Sequence, residues 1–138
     1  MAARDLYHYS VKHALLKDGW TITDDPLEMT FLGIAMYIDL AAEKVFAAEK
    51  DGKKIAVEIK SFLGSSLSTN FHEALGQYMK YLDALENLEP ERKLYLAIPI
   101  DIYDTFFTSA YGVHVIKKFN LKLIVYKPTL EVISQWIH

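Results

Sequence analysis

The sequence predicts a mixed α/β fold, a central mixed sheet flanked by helices, with a core order of αβββαβ. Three observations predict it. Several short runs alternate apolar and polar residues, the period of a strand. Two longer stretches repeat apolar residues at helical spacing. The two kinds of segment are interleaved along the chain, so helices have to pack on the faces of the sheet.

Residues 4–18 read as a helix. Tyr7, Val11, Ala14 and Leu15 share one face, and Gly19 follows as a C-cap. Trp20 to Thr23 reads as a short strand, stopped by Asp24-Asp25-Pro26. Residues 27–32 read as a further strand that Gly33 interrupts, and residues 36–40 as a better one, with Tyr37 and Asp39 on one face. Residues 44–50, then Asp51-Gly52, then residues 53–61 read as a β-hairpin, because Asp-Gly between two strand patterns favours a two-residue turn. Gly64 to Ser68 reads as a loop. Asn70 is placed to cap the next helix, with Glu73 completing a capping box. That helix runs to about Glu86 and buries Phe71, Ala74, Leu75, Tyr78, Leu82 and Leu85. After a polar loop containing Pro90, residues 93–98 form a buried strand ended by Pro99. Residues 103–107 and 111–119 read as short helices, residues 121–126 as a strand, and residues 131–137 as a closing edge strand. The strand at Leu94 follows a full helix, so it is expected to run parallel to the hairpin strand.

The chain has 138 residues, enough for one domain, 1–138, with a real core. Hydrophobic residues make up 51% and charged residues 24%, as in a soluble globular protein. A net charge of −3 argues against a broad basic nucleic-acid surface, which leaves local lysine clusters at 50, 53 and 54 and at 117, 118 and 122. With no cysteine there is no disulfide and no thiolate zinc site, which fits a reducing cytoplasm. No apolar run is long enough to cross a bilayer, and residues 1–5 carry no apolar signal core.

The chemistry centres on residues 53–61. Ile55, Val57 and Ile59 alternate with Ala56, Glu58 and Lys60, so Glu58 and Lys60 project side by side from one face. Such a pair is either a solvated ion pair or half of a metal-dependent phosphodiesterase site. Asp39 sits among Met, Tyr, Ile and Leu, where an acid needs water, a partner or a cation. Gln77 and Tyr81 lie one turn apart on the flank of the second helix. Mg²⁺ or Mn²⁺ prefers oxygen ligands and keeps several waters, so Asp39 and Glu58 are the candidate metal ligands, with the Ile59 carbonyl as a third oxygen. Lys60 would then orient a water or stabilise phosphate charge, and Gln77 would support Lys60 or a phosphate oxygen.

Asp39 followed by Glu58-Ile59-Lys60 resembles the D…(D/E)xK signature of the PD-(D/E)XK, or restriction-endonuclease-like, nuclease superfamily. Gln77-Tyr78-Met79-Lys80-Tyr81 is similar to the QxxxY motif of its RecB-like branch, and the order of elements matches that fold's core. Over nearly its full length the chain resembles the XisH family of cyanobacterial fdxN element excision controlling factors. The resemblance is carried by residues 2–5, 17–23, 36–40, 54–64, 74–78 and 121–126. It implies a nuclease-like protein that acts on DNA during programmed element excision in heterocysts, with catalytic Asp39, Glu58, Lys60 and Gln77 and an XisI-like partner. Duplex DNA has two strands, which makes a homodimer or higher homo-oligomer reasonable.

The hairpin raises one difficulty. A two-residue Asp51-Gly52 turn would set Val45 opposite Glu58 and Glu43 opposite Lys60, so Glu43 competes with Asp39 as the second carboxylate. A catalytically inactive regulatory subunit of the same fold, binding XisI or DNA, is the alternative. Plainer roles also stand beside the functional ones: a buried hydrogen-bonded acid for Asp39, ordinary helix flank for Gln77 and Tyr81, and helix polarity for Asp5, His8 and His13. His72 and His114 have no companion at ligand spacing and read as surface residues. Tyr103, Phe106, Phe107 and Tyr111 read as core or interface.

Overall fold

The computed structural model describes residues 4–45, 52–63 and 66–138. The first helix, α1, spans His8–Lys17, with Asp18 as its C-cap and Gly19 beyond it at φ +93°. Four strands follow: β1 (Thr21–Asp24), β2 (Leu27–Phe31), β3 (Ile34–Ile38) and β4 (Leu40–Lys44). Next come β5 (Lys53–Ile59), the long helix α2 (Leu67–Leu88) and β6 (Arg92–Pro99). A short helix α3 (Ile100–Ile102) runs into a π-helical turn (Tyr103–Phe107), then α4 (Ala110–Phe119), β7 (Leu123–Lys127) and β8 (Val132–Ile137).

Six strands form one mixed sheet in the order β1-β4-β5-β6-β7-β8. β5, β6 and β7 are mutually parallel, as the intervening helices require, and β4 and β8 run antiparallel to their neighbours. The meander expected early in the chain is split. β2 and β3 form a separate two-stranded sheet, and β1 skips them to pair with β4. Gly33 is the reason: Leu32 and Gly33 both hold positive φ between paired Phe31 and Ile34, which closes a tight hairpin.

The sheet is buried on both faces, where the alternation in residues 53–60 predicts only one. Ile55, Val57 and Ile59 face α1 together with Val11, Leu15 and Tyr126, while Ala56 packs with Phe71, Ala74 and Tyr78 of α2. A small apolar Ala56 and an acid at 58 disguise a strand with two covered faces. Tyr78 ties the α2 side together: its hydroxyl donates to the Leu94 carbonyl at 3.3 Å and accepts from the Lys122 amide at 3.2 Å. The aromatic residues at 103 and 107 belong to this core, with Phe107 1% exposed.

Three local expectations change. The N-cap of α2 is Ser66, whose hydroxyl accepts from the Thr69 amide at 3.2 Å, so Asn70 and Glu73 lie inside the helix and form no capping box. Asp39 is not within a strand: β3 ends at Ile38 and β4 begins at Leu40. The hairpin register also differs. Lys44 pairs with Lys53 and Leu40 with Val57, a register six residues away from the one an Asp51-Gly52 turn would set. Residues 46–51, including Lys50 and Asp51, lie outside the described residues, as do 1–3 and the loop positions Gly64 and Ser65.

Gly112 marks the tightest crossing in the α4 region. A Cβ there would overlap the Phe106 carbonyl and the Phe107 Cα, while its amide is held by the Ser109 N-cap. Gly112→Ala is therefore expected to cost about 2 kcal/mol or more, read as a lower urea midpoint with an unchanged slope.

Candidate functional site

The observed register brings the predicted acids together. One step past Leu40↔Val57, the antiparallel ladder sets Asp39 beside Glu58. Asp39 occupies the break between β3 and β4, so its side chain is free of the pleat, and its Oδ2 accepts the Ile59 amide at 2.7 Å. N–H and C=O of one strand residue point to the same side, so the Ile59 carbonyl also faces the Asp39 edge. Glu43 is removed as a rival. It pairs with Lys54, four residues back along β5, and its carboxylate lies 3.7 Å from Arg92. At about 3.3 Å per residue, that is roughly 13 Å from Glu58.

Glu58 projects to the α2 side and is buried, its side chain 6% exposed. Oε2 lies 3.6 Å from Lys60 Nζ, and Oε1 has no hydrogen-bond partner. Burial pushes the Glu58 carboxyl up to about 8, reinforced by the negative charge of Asp39 and the contact between the two carboxyls; Lys60 pulls it down by less. On α2, Tyr81 lies near both acids, and Gln77 sits one turn before it. The Gln77 Oε1 is likewise buried without a partner. The Tyr81 hydroxyl is pushed up to about 12, first by burial and then by the charges of Glu58 and Asp39, so it remains a neutral donor beside them. Lys60 lies one residue past β5. Its carbonyl accepts from the Tyr126 hydroxyl at 3.4 Å, and its amide bonds the Ala97 carbonyl at 3.0 Å.

Sequence reasoning missed Asp5. Far from being idle helix polarity, its Oδ2 accepts the Ser61 amide at 3.0 Å and its Oδ1 the Tyr7 amide at 2.9 Å. It therefore clamps the strand end that carries Lys60 to the start of α1. The only sequence signal for it is its place in the 2–5 stretch. His8 does not reach the site; its Nε2 is 2.7 Å from Asp25 Oδ1. His13 meets Glu131, and His72 and His114 are exposed.

Among the described residues no three His, Cys, Asp or Glu side chains gather at one point. Two carboxylates and a carbonyl suit a hard cation such as Mg²⁺ or Mn²⁺ better than zinc. The orphaned Glu58 and Gln77 oxygens fit that donor chemistry, since a buried acceptor without a partner is costly.

The sequence matches the family model for XisH protein over residues 1–134. The chain belongs to the XisH family. Two solved structures agree with this. One is an XisH family protein from Nostoc punctiforme PCC 73102, 45% identical with a TM-score of 0.88, covering 97% of this chain and all of its own. The other is an fdxN element excision controlling factor protein from Anabaena variabilis, 46% identical with a TM-score of 0.87, covering 98% and 100%. No curated protein matches the sequence. Among the described residues no helix is long and apolar enough to cross a membrane.

The Glu58 shift has a stability consequence with a definite sign. The folded carboxyl keeps its proton up to about pH 8, whereas the unfolded one loses it near 4.5. The stability it contributes is full below 4.5 and is lost as pH rises through 8. In chelator, Glu58→Gln should gain on the wild type by roughly 4 kcal/mol across that window, read by urea unfolding at its two ends.

Proposed function

We propose that this protein is a metal-dependent deoxyribonuclease of restriction-endonuclease-like fold, acting on DNA phosphodiesters in programmed element excision. The observation that carries the reading is the convergence of Asp39, Glu58 and Lys60 at one end of a parallel strand, with Tyr81 of α2 close enough to feel both acids. The order of elements and the excision-factor description of the Anabaena variabilis relative support it.

Asp39, Glu58 and the Ile59 carbonyl would hold Mg²⁺ or Mn²⁺. A bound divalent ion lowers the pKa of its water and offsets charge on the phosphate. The chain's own groups do the rest. The Ile59 amide holds Asp39 in place, so the acid is pre-organised for its ligand. Lys60, held near Glu58, offers a cation to the attacking water or to the phosphate oxygens. Gln77 and the neutral Tyr81 hydroxyl offer polar contacts to the sugar-phosphate chain. Asp5 is a positioning residue that keeps Lys60 at the strand end. A two-fold dimer would offer one such site to each strand of a duplex, and an XisI-like protein is the partner this reading carries.

A second reading has its own support. The net charge of −3 is unusual for a stand-alone nuclease and suits a non-catalytic subunit that binds XisI or DNA.

The deciding experiment incubates supercoiled plasmid and branched DNA with the protein and Mg²⁺ or Mn²⁺. Cleavage should fall by about 10²–10³-fold in Lys60→Ala and by at least as much in Glu58→Ala. Mn²⁺ should also raise the Tm of the wild type and leave that of Asp39→Asn unchanged. Cleavage unchanged in both alanine variants would overturn the nuclease reading. No cleavage with any metal, together with stoichiometric capture of a partner, would establish the regulatory one.

A further inference from the structure

A cavity lies at the other end of the sheet, where β5 and β6 begin. It has a volume of about 750 Å³, inside the roughly 300–1,000 Å³ range of small-ligand pockets and far too small for a duplex. Along β5, its Lys54 lies roughly 13 Å from Glu58 at about 3.3 Å per residue, so the cavity is separate from the carboxylate site.

Two features of its lining stand apart from the rest of the molecule. The first is charge. Among the described residues that line it, five lysines (44, 53, 54, 93 and 122) outnumber the acids Asp18 and Glu91 by three, on a chain whose net charge is −3. Lys44 is engaged, donating to the Asp18 carbonyl at 2.7 Å and lying 5.6 Å over the Trp20 ring. Among the described residues the side chains of Lys93 and Lys122, which share the face of Tyr95 and Tyr126, have no hydrogen bond or ion pair. Cations gathered around a concavity without counter-charge repel one another, and a bound anion relieves that cost.

The second feature is aromatic. Both tryptophans of the chain, Trp20 and Trp136, line this cavity with Tyr95 and His138. Trp136 stacks on His138 at 5.8 Å with 7° between planes, and meets Tyr95 edge-on at 5.1 Å. The Tyr95 hydroxyl and His138 Nδ1 are 2.7 Å apart, which holds the rings as one rigid wall. A free phosphate needs the lysines but not the rings. An uncharged ring needs the aromatic wall but not the lysines. A planar base carrying phosphate uses both.

We propose that this cavity binds a phosphorylated nucleoside, its base against the Trp20, Tyr95 and Trp136 wall and its phosphates on Lys93 and Lys122, which share that face of the sheet. The ligand is either a free nucleotide or the terminal nucleotide of a single strand, which present the same chemistry. The proposal stands independently of the nuclease reading.

Both tryptophans report on it, so intrinsic fluorescence of the full chain, titrated in EDTA to exclude metal-dependent binding, is the test. ATP should give a saturable change, with adenosine and tripolyphosphate each binding about tenfold or more weaker. Replacing two lysines, Lys93→Ala with Lys122→Ala, should weaken ATP by about tenfold, whereas Lys117→Ala with Lys118→Ala on α4 should bind as the wild type. A 5′-phosphorylated linear oligonucleotide that binds more tightly than ATP assigns the source to a strand end; the reverse order assigns it to a free nucleotide. No saturable change with any nucleotide overturns the proposal. Tripolyphosphate binding as tightly as ATP overturns it as well, as does full affinity in the Lys93/Lys122 variant.

Discussion

The hydrogen bond from the Ile59 amide to Asp39 Oδ2, at 2.7 Å, is the constraint on which the site depends. A strand amide normally finds a carbonyl on its neighbour. Here β4 starts at Leu40, two residues past the position opposite Ile59, and a side chain takes that role. The same bond satisfies a buried donor and fixes a carboxylate beside Glu58. Had β3 and β4 run on as one strand, residue 39 would have kept its backbone pairing and its side chain would have followed the pleat. The break is thus what frees the acid, and the amide is what stops it from wandering.

That arrangement has a cost which the surrounding structure meets in several ways. Two carboxyls at a buried sheet edge repel, and Glu58 answers by holding its proton well above the usual carboxylate range. Lys60 relieves part of the strain from 3.6 Å. Tyr81 stays neutral beside both acids, so it adds no further charge. Around them the scaffold is rigid: Tyr78 joins α2 to β6 and to the residue before β7, Asp5 joins α1 to the end of β5, and Tyr126 holds the Lys60 carbonyl. An unsatisfied pair on a stiff frame is what a binding or catalytic site needs, because a pliable frame would let the charges move apart.

Much of this was legible in the residues. The alternation at 53–60 marks β5, the apolar arc at 71–85 marks α2, and a full helix before Leu94 requires a parallel neighbour. What the sequence could not show was set by contacts between distant residues. Asp51-Gly52 signals a tight turn, yet Lys44 pairs with Lys53, because the ladder obeys the burial of Leu40 and Ala41 on opposite faces and not the turn residues. The helix cap fell at Ser66, since Leu67 is packed against the core and the helix starts a turn early to include it. Asp5 carries no local signal at all: its partner Ser61 is 56 residues away. The pairing of Glu43 with Arg92 was hidden for the same reason.

β5 gives the molecule its polarity. Lysines 53 and 54 open the strand, Glu58 stands near its close, and Ile55, Ala56 and Val57 between them are at most 3% exposed. An apolar interior that water does not enter keeps ions from bridging the two ends within the sheet. Outside it, the roughly 13 Å between them exceeds the Debye length of about 8 Å at physiological salt, so solvent ions screen one end from the other. The basic, aromatic end and the acidic end are therefore electrostatically separate, although they share one stiff element. A phosphate held at the lysines would neither quench Glu58 nor compete for the cation proposed for Asp39 and Glu58. Two anion-related chemistries can coexist in a chain this small only because that strand keeps them apart.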